Sequence, residues 1–244
     1  MSIFVFIVGL IIPTVLWIGY FYWRDRHFPE PSFKILFAYI MGIAIAAIYV
    51  ALFYKLIPKL GILTEGPGGL IVRLTVEKNW VGSFFACIGV IGLFEEFFKL
   101  LPFIFIIFMF KEFDEKVDGI VYASLIALGF ATYENIEYIR HSQNFQEILA
   151  HALCRPLVHT IFASIWGYII AIAWFNKKNV FWAFIIGLLI SAFIHGIYDF
   201  LCFCMGHNQI FVALSALLIG ILWILRIKIF EKLVKFKNTF ISWK

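Results

Sequence analysis

Charged residues are scarce in this chain. They make up 14% of its 244 residues, whereas hydrophobic residues make up 63%. Soluble globular domains carry about 25% charged and about 45–50% apolar residues, so a water-exposed surface could not absorb this surplus. The composition excludes an ordinary soluble protein and indicates a polytopic membrane protein. We expect one membrane-embedded domain over residues 1–244.

Three other features are missing. Basic residues give a net charge of +5 but do not gather on one face, so we expect no nucleic-acid partner. The first apolar run, residues 3–23, has no basic n-region and no small-residue cleavage site, so we interpret it as a retained span. No CxxC pair occurs, and we interpret the four cysteines as small side chains that are compatible with a lipid environment. A disulfide from Cys154 to Cys202 or Cys204 is the alternative.

Long apolar runs predict an all-α bundle of about seven transmembrane helices. They fall at about 3–23, 33–57, 80–110, 117–139, 156–175, 180–204 and 208–225. The third run would reach about 46 Å as a helix, against a hydrocarbon core of about 30 Å. A break at Pro102 would give eight helices instead. The segment between the second and third runs is interpreted as a connector, or alternatively a substrate clamp, and its "LIVRLTV" predicts a short strand.

The distribution of lysine and arginine predicts the orientation. One set of loops carries thirteen basic residues, namely Arg24, Arg26, Lys34, Lys111, Lys116, Lys177, Lys178, Arg226, Lys228, Lys232, Lys235, Lys237 and Lys244. The opposite set carries six, namely Lys55, Lys59, Arg73, Lys78, Arg140 and Arg155. Because the richer side is normally cytoplasmic, we expect the N-terminus outside and the C-terminus inside, with residues 226–244 as a basic cytoplasmic tail.

The apolar runs contain ionisable residues, which are rare inside membranes and usually mark function. They are Glu95, Glu96 and Lys99 in the third run, Glu134 beside Asn135 in the fourth, His159 at the start of the fifth, and His195 and Asp199 in the sixth. Lys99 is spaced to lie beneath both glutamates, and His195 and Asp199 are spaced to share one helix face.

The depth of these residues in the membrane agrees between helices. Glu95, Glu134, His159 and His195 lie 15 to 17 residues from the predicted cytoplasmic ends of their helices. At 1.5 Å per residue, all four sit about 22–26 Å above the inner boundary. We therefore expect four helices to present polar groups to one cavity in the outer half of the membrane.

The charge of this group leaves its chemistry open. Four carboxylates against Lys99 sum to −3 if all are ionised, so protons, a cation or water must compensate. Protonated carboxyls suit a general base, and a divalent metal held by histidine and carboxylate suits a hydrolase. Structural readings also stand: an intrahelical Glu96–Lys99 pair, and His159 as an interhelical hydrogen-bonding residue. We interpret the remaining polar residues near the outer interface as solvated, namely Glu137, Arg140, His141, His151 and His207.

The order of these motifs resembles the PrsW family of bacterial intramembrane proteases, distant relatives of the CAAX-processing and bacteriocin-processing membrane endopeptidases. The matching pattern, over about residues 90–200, is EExxK (Glu95, Glu96, Lys99), FxxxEN (Phe130, Glu134, Asn135), His159, and HxxxD (His195, Asp199). The resemblance implies a multi-pass protein of the bacterial plasma membrane. It also implies that the protein cuts a single-span membrane substrate, such as an anti-sigma factor, on its extracytoplasmic side.

Under this resemblance we assign roles to seven residues. Glu95 is the base that activates water, and Glu96 and Lys99 set its charge state. His195 and Asp199, with Glu134 or His159, hold Zn²⁺ or another divalent metal, or else stabilise the oxyanion. Two other functions remain open: a proton- or ion-coupled transporter, because such residues also build relays, and a non-catalytic protein that binds membrane partners.

Overall fold

The computed structural model of the chain describes residues 7–24, 30–56, 80–111, 113–141 and 144–241. Within these ranges the protein is all-helical and no strand occurs. The segment "LIVRLTV", for which we predicted a short strand, and the connector around it lie outside the described residues.

The described residues form seven continuous helices. Helix α1 starts as a π-helical turn, Ile7–Ile11, and continues over Ile12–Arg24; α2 is Ser32–Leu56; α3 comprises Trp80–Ala86, the π-helical segment Cys87–Gly92 and Leu93–Met109; α4 is Asp118–His141; α5 is Phe145–Phe175; α6 is Val180–Cys204; and α7 is Ile210–Ile241.

Five of these helices, α2, α4, α5, α6 and α7, are long and apolar enough to cross a membrane. This confirms an all-helical, multi-span architecture. Helix α1 is short, and α3 carries Glu95, Glu96 and Lys99 in its interior. The count of seven spans and the orientation of the termini stay predictions.

The long third apolar run forms the single helix α3 rather than two helices. Pro102 lies inside it without breaking it. The irregularity instead falls one turn before Glu95, at the π-helical segment Cys87–Gly92. A π turn is wider than an α turn, and such segments occur frequently at functional sites.

Helix α5 begins eleven residues earlier than the sequence predicted, at Phe145 rather than at residue 156. The side chain of Asn144 accepts hydrogen bonds from the backbone N–H groups of Gln146 and Glu147, which caps the helix start. His159 therefore does not open a span but lies about four turns inside α5. For the same reason Arg155, which we had counted in a loop, is part of the helix.

Helix α7 continues through the segment for which we predicted a tail from residue 226 onward, as far as Ile241. Arg226 is buried and donates to the Ser124 hydroxyl of α4 over 2.8 Å. Phe230, one turn later, is also buried. Hydropathy drops at Arg226, but the apolar face of the helix does not end there.

Helix α4 is the centre of the bundle. Of the membrane-spanning part of α4, 83% is buried inside the protein, whereas the corresponding share for α7 is 17%. Glycines let its neighbours approach: a Cβ on Gly129 would meet the backbone of Tyr39 in α2, and Cβ atoms on Gly119 or Gly167 would meet the backbone across the α4–α5 contact. Small residues at helix contacts are the usual way in which membrane helices pack closely.

Candidate active site

The structure brings all seven predicted site residues into one cluster. Helix α3 contributes Glu95, Glu96 and Lys99, α4 contributes Glu134, α5 contributes His159, and α6 contributes His195 and Asp199. The agreement in depth that the sequence showed is therefore a real proximity in space. The catalytic roles of these residues remain predictions.

A second glycine contact places α3 against α6 at this level. A Cβ on Gly92 would lie 2.5 Å from the carbonyl oxygen of Ala192, and one on Gly196 would meet the backbone of Ile88. The π-helical segment of α3 thus packs directly on the α6 turn that carries His195. This close approach allows short side-chain contacts between the two helices.

Glu96 is fully buried and holds several elements together. Its carboxylate accepts hydrogen bonds from Trp166 Nε1 at 2.9 Å and from Ser191 Oγ at 3.2 Å. It also contacts Lys99 Nζ and His195 Nδ1, each at 2.9 Å. Four partners satisfy this carboxylate, and Glu96 does not line the cavity. Glu96 therefore organises the cluster from inside the protein.

Lys99 is the buried cation of the cluster. Its Nζ lies 3.3 Å from Glu95 Oε2 and 2.7 Å from His159 Nδ1, in addition to the contact with Glu96. It also lies 4.5 Å from the centroid of the Phe130 ring, whose π face favours a cation. As an ammonium has three donors and no lone pair, this geometry makes His159 Nδ1 an acceptor.

Glu95 and the two histidines form a candidate metal-binding group. Each offers one ligand atom, these atoms lie within 4.8 Å of one another, and all three residues are buried. Glu95 Oε2 is 3.8 Å from both His159 Nδ1 and His195 Nε2. A tetrahedral zinc ion with ligands at about 2.0–2.1 Å needs ligand atoms about 3.3 Å apart, so these atoms would need to move little once Lys99 Nζ left His159 Nδ1.

The other two predicted ligands lie at the edge of this group. Glu134 Oε2 is 2.9 Å from His159 Nε2, the nitrogen that faces away from Glu95. Asp199 Oδ2 is 3.5 Å from His195 Nε2. The spacing favours Glu95 as the carboxylate ligand, and Glu134 lies beside the other ring nitrogen of His159.

Three buried oxygens on the helices of the cluster point to a polar partner that the protein does not supply. Glu134 Oε2, Asn135 Oδ1 and Asp199 Oδ2 have no hydrogen-bond partner within the described part of the chain. Buried polar atoms normally have hydrogen-bond partners, so a buried oxygen without one indicates a bound water, ion or ligand. Together with the Glu95, His159 and His195 donors, the residues present fit a divalent metal.

A cavity of about 440 Å³ opens onto the cluster. Glu95, Glu134, His159, His195 and Asp199 line it, and a second group of polar and aromatic residues lines its wall, namely Glu137, Tyr138, His151, Cys154, Arg155, Tyr198 and Cys202. Its volume lies in the range of about 300–1,000 Å³ that is usual for ligand pockets. Glu137 and His151, which we expected to be solvated boundary residues, are therefore part of the cavity.

Sequence reasoning missed the two residues that hold Glu96 from other helices. Ser191 lies one turn before His195, and Trp166 lies two turns after His159, so both occupy helix faces already marked by a histidine. That spacing was the available signal. The predicted alternative of a disulfide is wrong for Cys154, Cys202 and Cys204, since all are free thiols.

The fold and the site define a polytopic membrane protein with a buried carboxylate–histidine centre that opens to a cavity. A family model described as "PrsW family intramembrane metalloprotease" matches residues 30–225. The chain is 30% identical over 219 residues to "Protease PrsW" of Oceanobacillus iheyensis, covering 88% of this chain and 89% of that protein. It is also 30% identical over 235 residues to "Protease PrsW" of Clostridioides difficile, covering 93% and 90%.

A third relative, "Protease PrsW" of Bacillus subtilis, is 28% identical over 200 residues, covering 81% of this chain and 83% of that protein. No solved structure shows significant similarity to the chain. The chain belongs to the PrsW family. It is accordingly a multi-pass protein of the bacterial cell membrane and a membrane protease, with a membrane protein as its substrate and lipid as its environment.

Proposed function

We propose that this protein is a glutamate-dependent intramembrane endopeptidase that cuts a single-span membrane protein near its extracytoplasmic side. The substrate class is that of anti-sigma factors, and the cut is the first in regulated proteolysis. The bundle is a single domain with seven spans, its N-terminus outside and its C-terminus inside. One observation carries the proposal: Glu95 lies between two histidines in the wall of a cavity large enough for peptide and water.

Glu95 is the general base in this proposal. Its carboxylate faces the cavity, while Glu96 is fully buried beside it. A base must reach the proton that it removes within about 2.6–3.2 Å, and only the cavity side of the cluster can admit a water molecule to that distance. Lys99 contacts both glutamates and balances part of their charge.

The two histidines are placed to bind a metal ion or to stabilise charge at the scissile carbonyl. His195 is held through Nδ1 by Glu96, so its Nε2 points towards Glu95 and Asp199. His159 contacts Lys99 through Nδ1, and its Nε2 lies 2.9 Å from Glu134. A divalent ion bound by His159, His195 and Oε2 of Glu95 would supply a Lewis acid for the scissile carbonyl, and Oε1 of Glu95 would be left to act as the base. Lys99 contacts the same lone pair of His159 that such an ion requires, so Lys99 must yield when the ion binds.

The depth of the site supports cleavage on the extracytoplasmic side. Under the orientation that the basic residues predict, Glu95 and its partners sit in the outer half of the membrane. Helix α5 runs outward from His159 to Phe145, and the cavity wall continues in that direction through Arg155 and His151. Water and an extended substrate segment then reach the site from outside.

Co-expression with tagged single-span proteins tests this proposal. Wild-type protein should release the extracytoplasmic part of the substrate, cut near the outer boundary of the substrate's span. Glu95→Gln, which keeps the shape of the side chain, should abolish the fragment, whereas Glu231→Gln on the exposed surface of α7 should not. Ion flux through proteoliposomes without any cleavage would instead support a transporter.

A further inference from the structure

Arg155 lies in the wall of the catalytic cavity but takes no part in the proposed chemistry. It precedes His159 by four residues on α5, so both side chains leave the same face of the helix. Their positions are about 6 Å apart along the helix axis, with Arg155 nearer the Phe145 end. A peptide bound with its scissile bond at the cluster would therefore pass Arg155.

The guanidinium of Arg155 is oriented by a ring nitrogen and an aromatic face. Its Nη2 atom lies 3.2 Å from His151 Nδ1, and its central carbon lies 5.5 Å from the centroid of the Tyr138 ring. These contacts use little of its hydrogen-bonding capacity, since a guanidinium has five N–H donors. The side chain is thus held in place with donors to spare.

No carboxylate forms an ion pair with Arg155 within the part of the chain that the structure describes. The nearby Glu137 pairs with Arg140 instead, over 2.7 Å. Arg155 is half-buried, so its charge is only partly solvated. A planar, always-charged guanidinium in such a position suits bidentate binding of a carboxylate.

The charge of the cavity indicates where a substrate carboxylate would sit. Glu95, Glu134 and Asp199 lie on the floor and would repel it, whereas Arg155 lies one turn further out and would attract it. An extended chain advances about 3.3 Å per residue, so the 6 Å between Arg155 and His159 corresponds to about two residues.

We propose that Arg155 is a specificity-determining residue that binds an Asp or Glu side chain of the substrate, about two residues to the outer side of the scissile bond. This rests on the proposed function, because it places the scissile bond at Glu95 and the histidines. Arg155 sets the register of the substrate in the cavity and so selects which peptide bond is cut.

A reporter series tests the preference. The outer juxtamembrane segment of a cleaved single-span reporter is made free of acidic residues, and one Glu, or Gln as its neutral match, is placed at successive positions. We expect kcat/KM to be about tenfold higher for Glu than for Gln at one position, on the outer side of the cut. Arg155→Gln should reduce this ratio to within about twofold, and Arg155→Glu should favour a reporter with Lys there.

Two controls make these outcomes specific. Arg140→Gln removes a neighbouring arginine that is exposed and already paired, so it should leave the ratio of Glu to Gln unchanged. The gain of cleavage of the Lys reporter by Arg155→Glu cannot arise from misfolding. If wild-type protein shows no ratio above twofold at any position, or if Arg155→Gln leaves the ratio intact, the proposal is wrong.

A binding measurement separates this proposal from the proteolytic one. Two soluble peptides that differ only as Glu and Gln are titrated against purified full-length Glu95→Gln protein, and the Kd ratio is compared with that of the Glu95→Gln, Arg155→Gln double variant. If the Kd ratio depends on Arg155 but no reporter is cleaved, the proposed proteolytic function is refuted and the carboxylate-binding site is supported. If reporters are cleaved but Glu and Gln are not distinguished in either assay, the carboxylate-binding site is refuted and the proteolytic function is supported.

The same titrations in vesicles of neutral phosphatidylcholine and of anionic phosphatidylglycerol test a lipid headgroup as the occupant. We expect the Glu preference to persist in both. If Arg155→Gln changes only the binding of anionic lipid, and the peptides bind equally, Arg155 is a lipid-phosphate site and the substrate proposal is overturned.

Discussion

His195 Nδ1 lies 2.9 Å from Glu96 Oε1, which joins α3 to α6 across 99 residues of sequence. This contact divides the two adjacent glutamates between different tasks. Glu96 is enclosed by Lys99, His195, Trp166 and Ser191, whereas Glu95 borders the cavity. Because its Nδ1 is engaged, His195 can offer only Nε2 towards Glu95. Glu95 therefore faces the cavity, and Glu96 contacts the histidine from inside the protein.

This difference in position predicts that substituting Glu96 lowers thermal stability, whereas substituting Glu95 lowers cleavage. Glu96→Gln leaves Lys99 without its closest buried carboxylate, and breaking a buried pair typically costs about 3–5 kcal/mol. At about 2–4 °C per kcal/mol for a chain of this size, we expect thermal unfolding in detergent to occur roughly 6–20 °C lower than in the wild type. Glu95→Gln should unfold within about 2 °C of the wild type yet lose cleavage. Equal thermal stability of the two variants would contradict the assignment.

The contact between Gly92 and Gly196 predicts a geometric effect on activity. Gly92→Ala or Gly196→Ala forces α3 and α6 apart, because each added Cβ meets backbone atoms of the other helix. Overpacking of this kind costs about 1–3 kcal/mol, and a shift of about 1 Å near a catalytic group can lower the rate by about 100-fold. We expect cleavage by either variant to fall at least tenfold.

The matched control for these variants lies in the same π-helical segment. A Cβ on Gly89 would meet nothing within 4 Å, so Gly89→Ala should keep both thermal stability and cleavage. Cleavage reduced equally by Gly89→Ala and Gly92→Ala would show that backbone freedom, rather than the close approach, is what the segment requires.

The sequence was enough to predict the cluster but not its pairings. Rise per residue gives the height of a side chain in a helix, so Glu95, Glu134, His159 and His195 could be placed at one depth. Their partners depend on how each helix is rotated about its axis, which hydropathy does not report. Which ring nitrogen of His195 faces Glu96 and which faces Glu95 is one such detail. The π-helical turn at Cys87–Gly92, which precedes both glutamates, is another, since the sequence carries no local signal for it.

The helix ends show a related limit. Residues 145–155 are too polar to be recognised as part of a span, yet the Asn144 cap and the buried side chains of Ile148 and Ala152 keep them helical. As a result, the outer wall of the cavity, including His151 and Arg155, could not be found by searching for apolar runs. It emerges only when α5 is seen to continue beyond the membrane-spanning part.

The proposed orientation predicts which turns are reachable from outside. Lys178 lies in the exposed turn between α5 and α6, and Gln209 lies in the exposed turn between α6 and α7. In a background without the four native cysteines, an impermeant maleimide applied to intact cells should label Gln209→Cys. It should label Lys178→Cys only after lysis. The reverse pattern would invert the bundle and put the site on the cytoplasmic side.

The candidate metal group predicts which residues control metal content. If Glu95, His159 and His195 hold a divalent ion, substituting any of them by alanine should lower the metal bound to purified protein, measured by elemental analysis, by at least half. Asp199→Asn should lower it less, because Asp199 lies outside the group whose ligand atoms lie within 4.8 Å of one another. His207→Ala is the matched control, since His207 is exposed in the turn before α7.

Chelation then connects metal content with chemistry. A strong chelator should remove both the bound metal and the cleavage of a reporter, and adding Zn²⁺ or another divalent ion should restore them together, because the ion supplies the Lewis acid. Undiminished cleavage by protein shown to be free of metal would exclude that role. Glu95 would then act as the base with water alone. His195, held by Glu96 through Nδ1, would as an imidazolium donate from Nε2 to the developing oxyanion, and Asp199 would orient it.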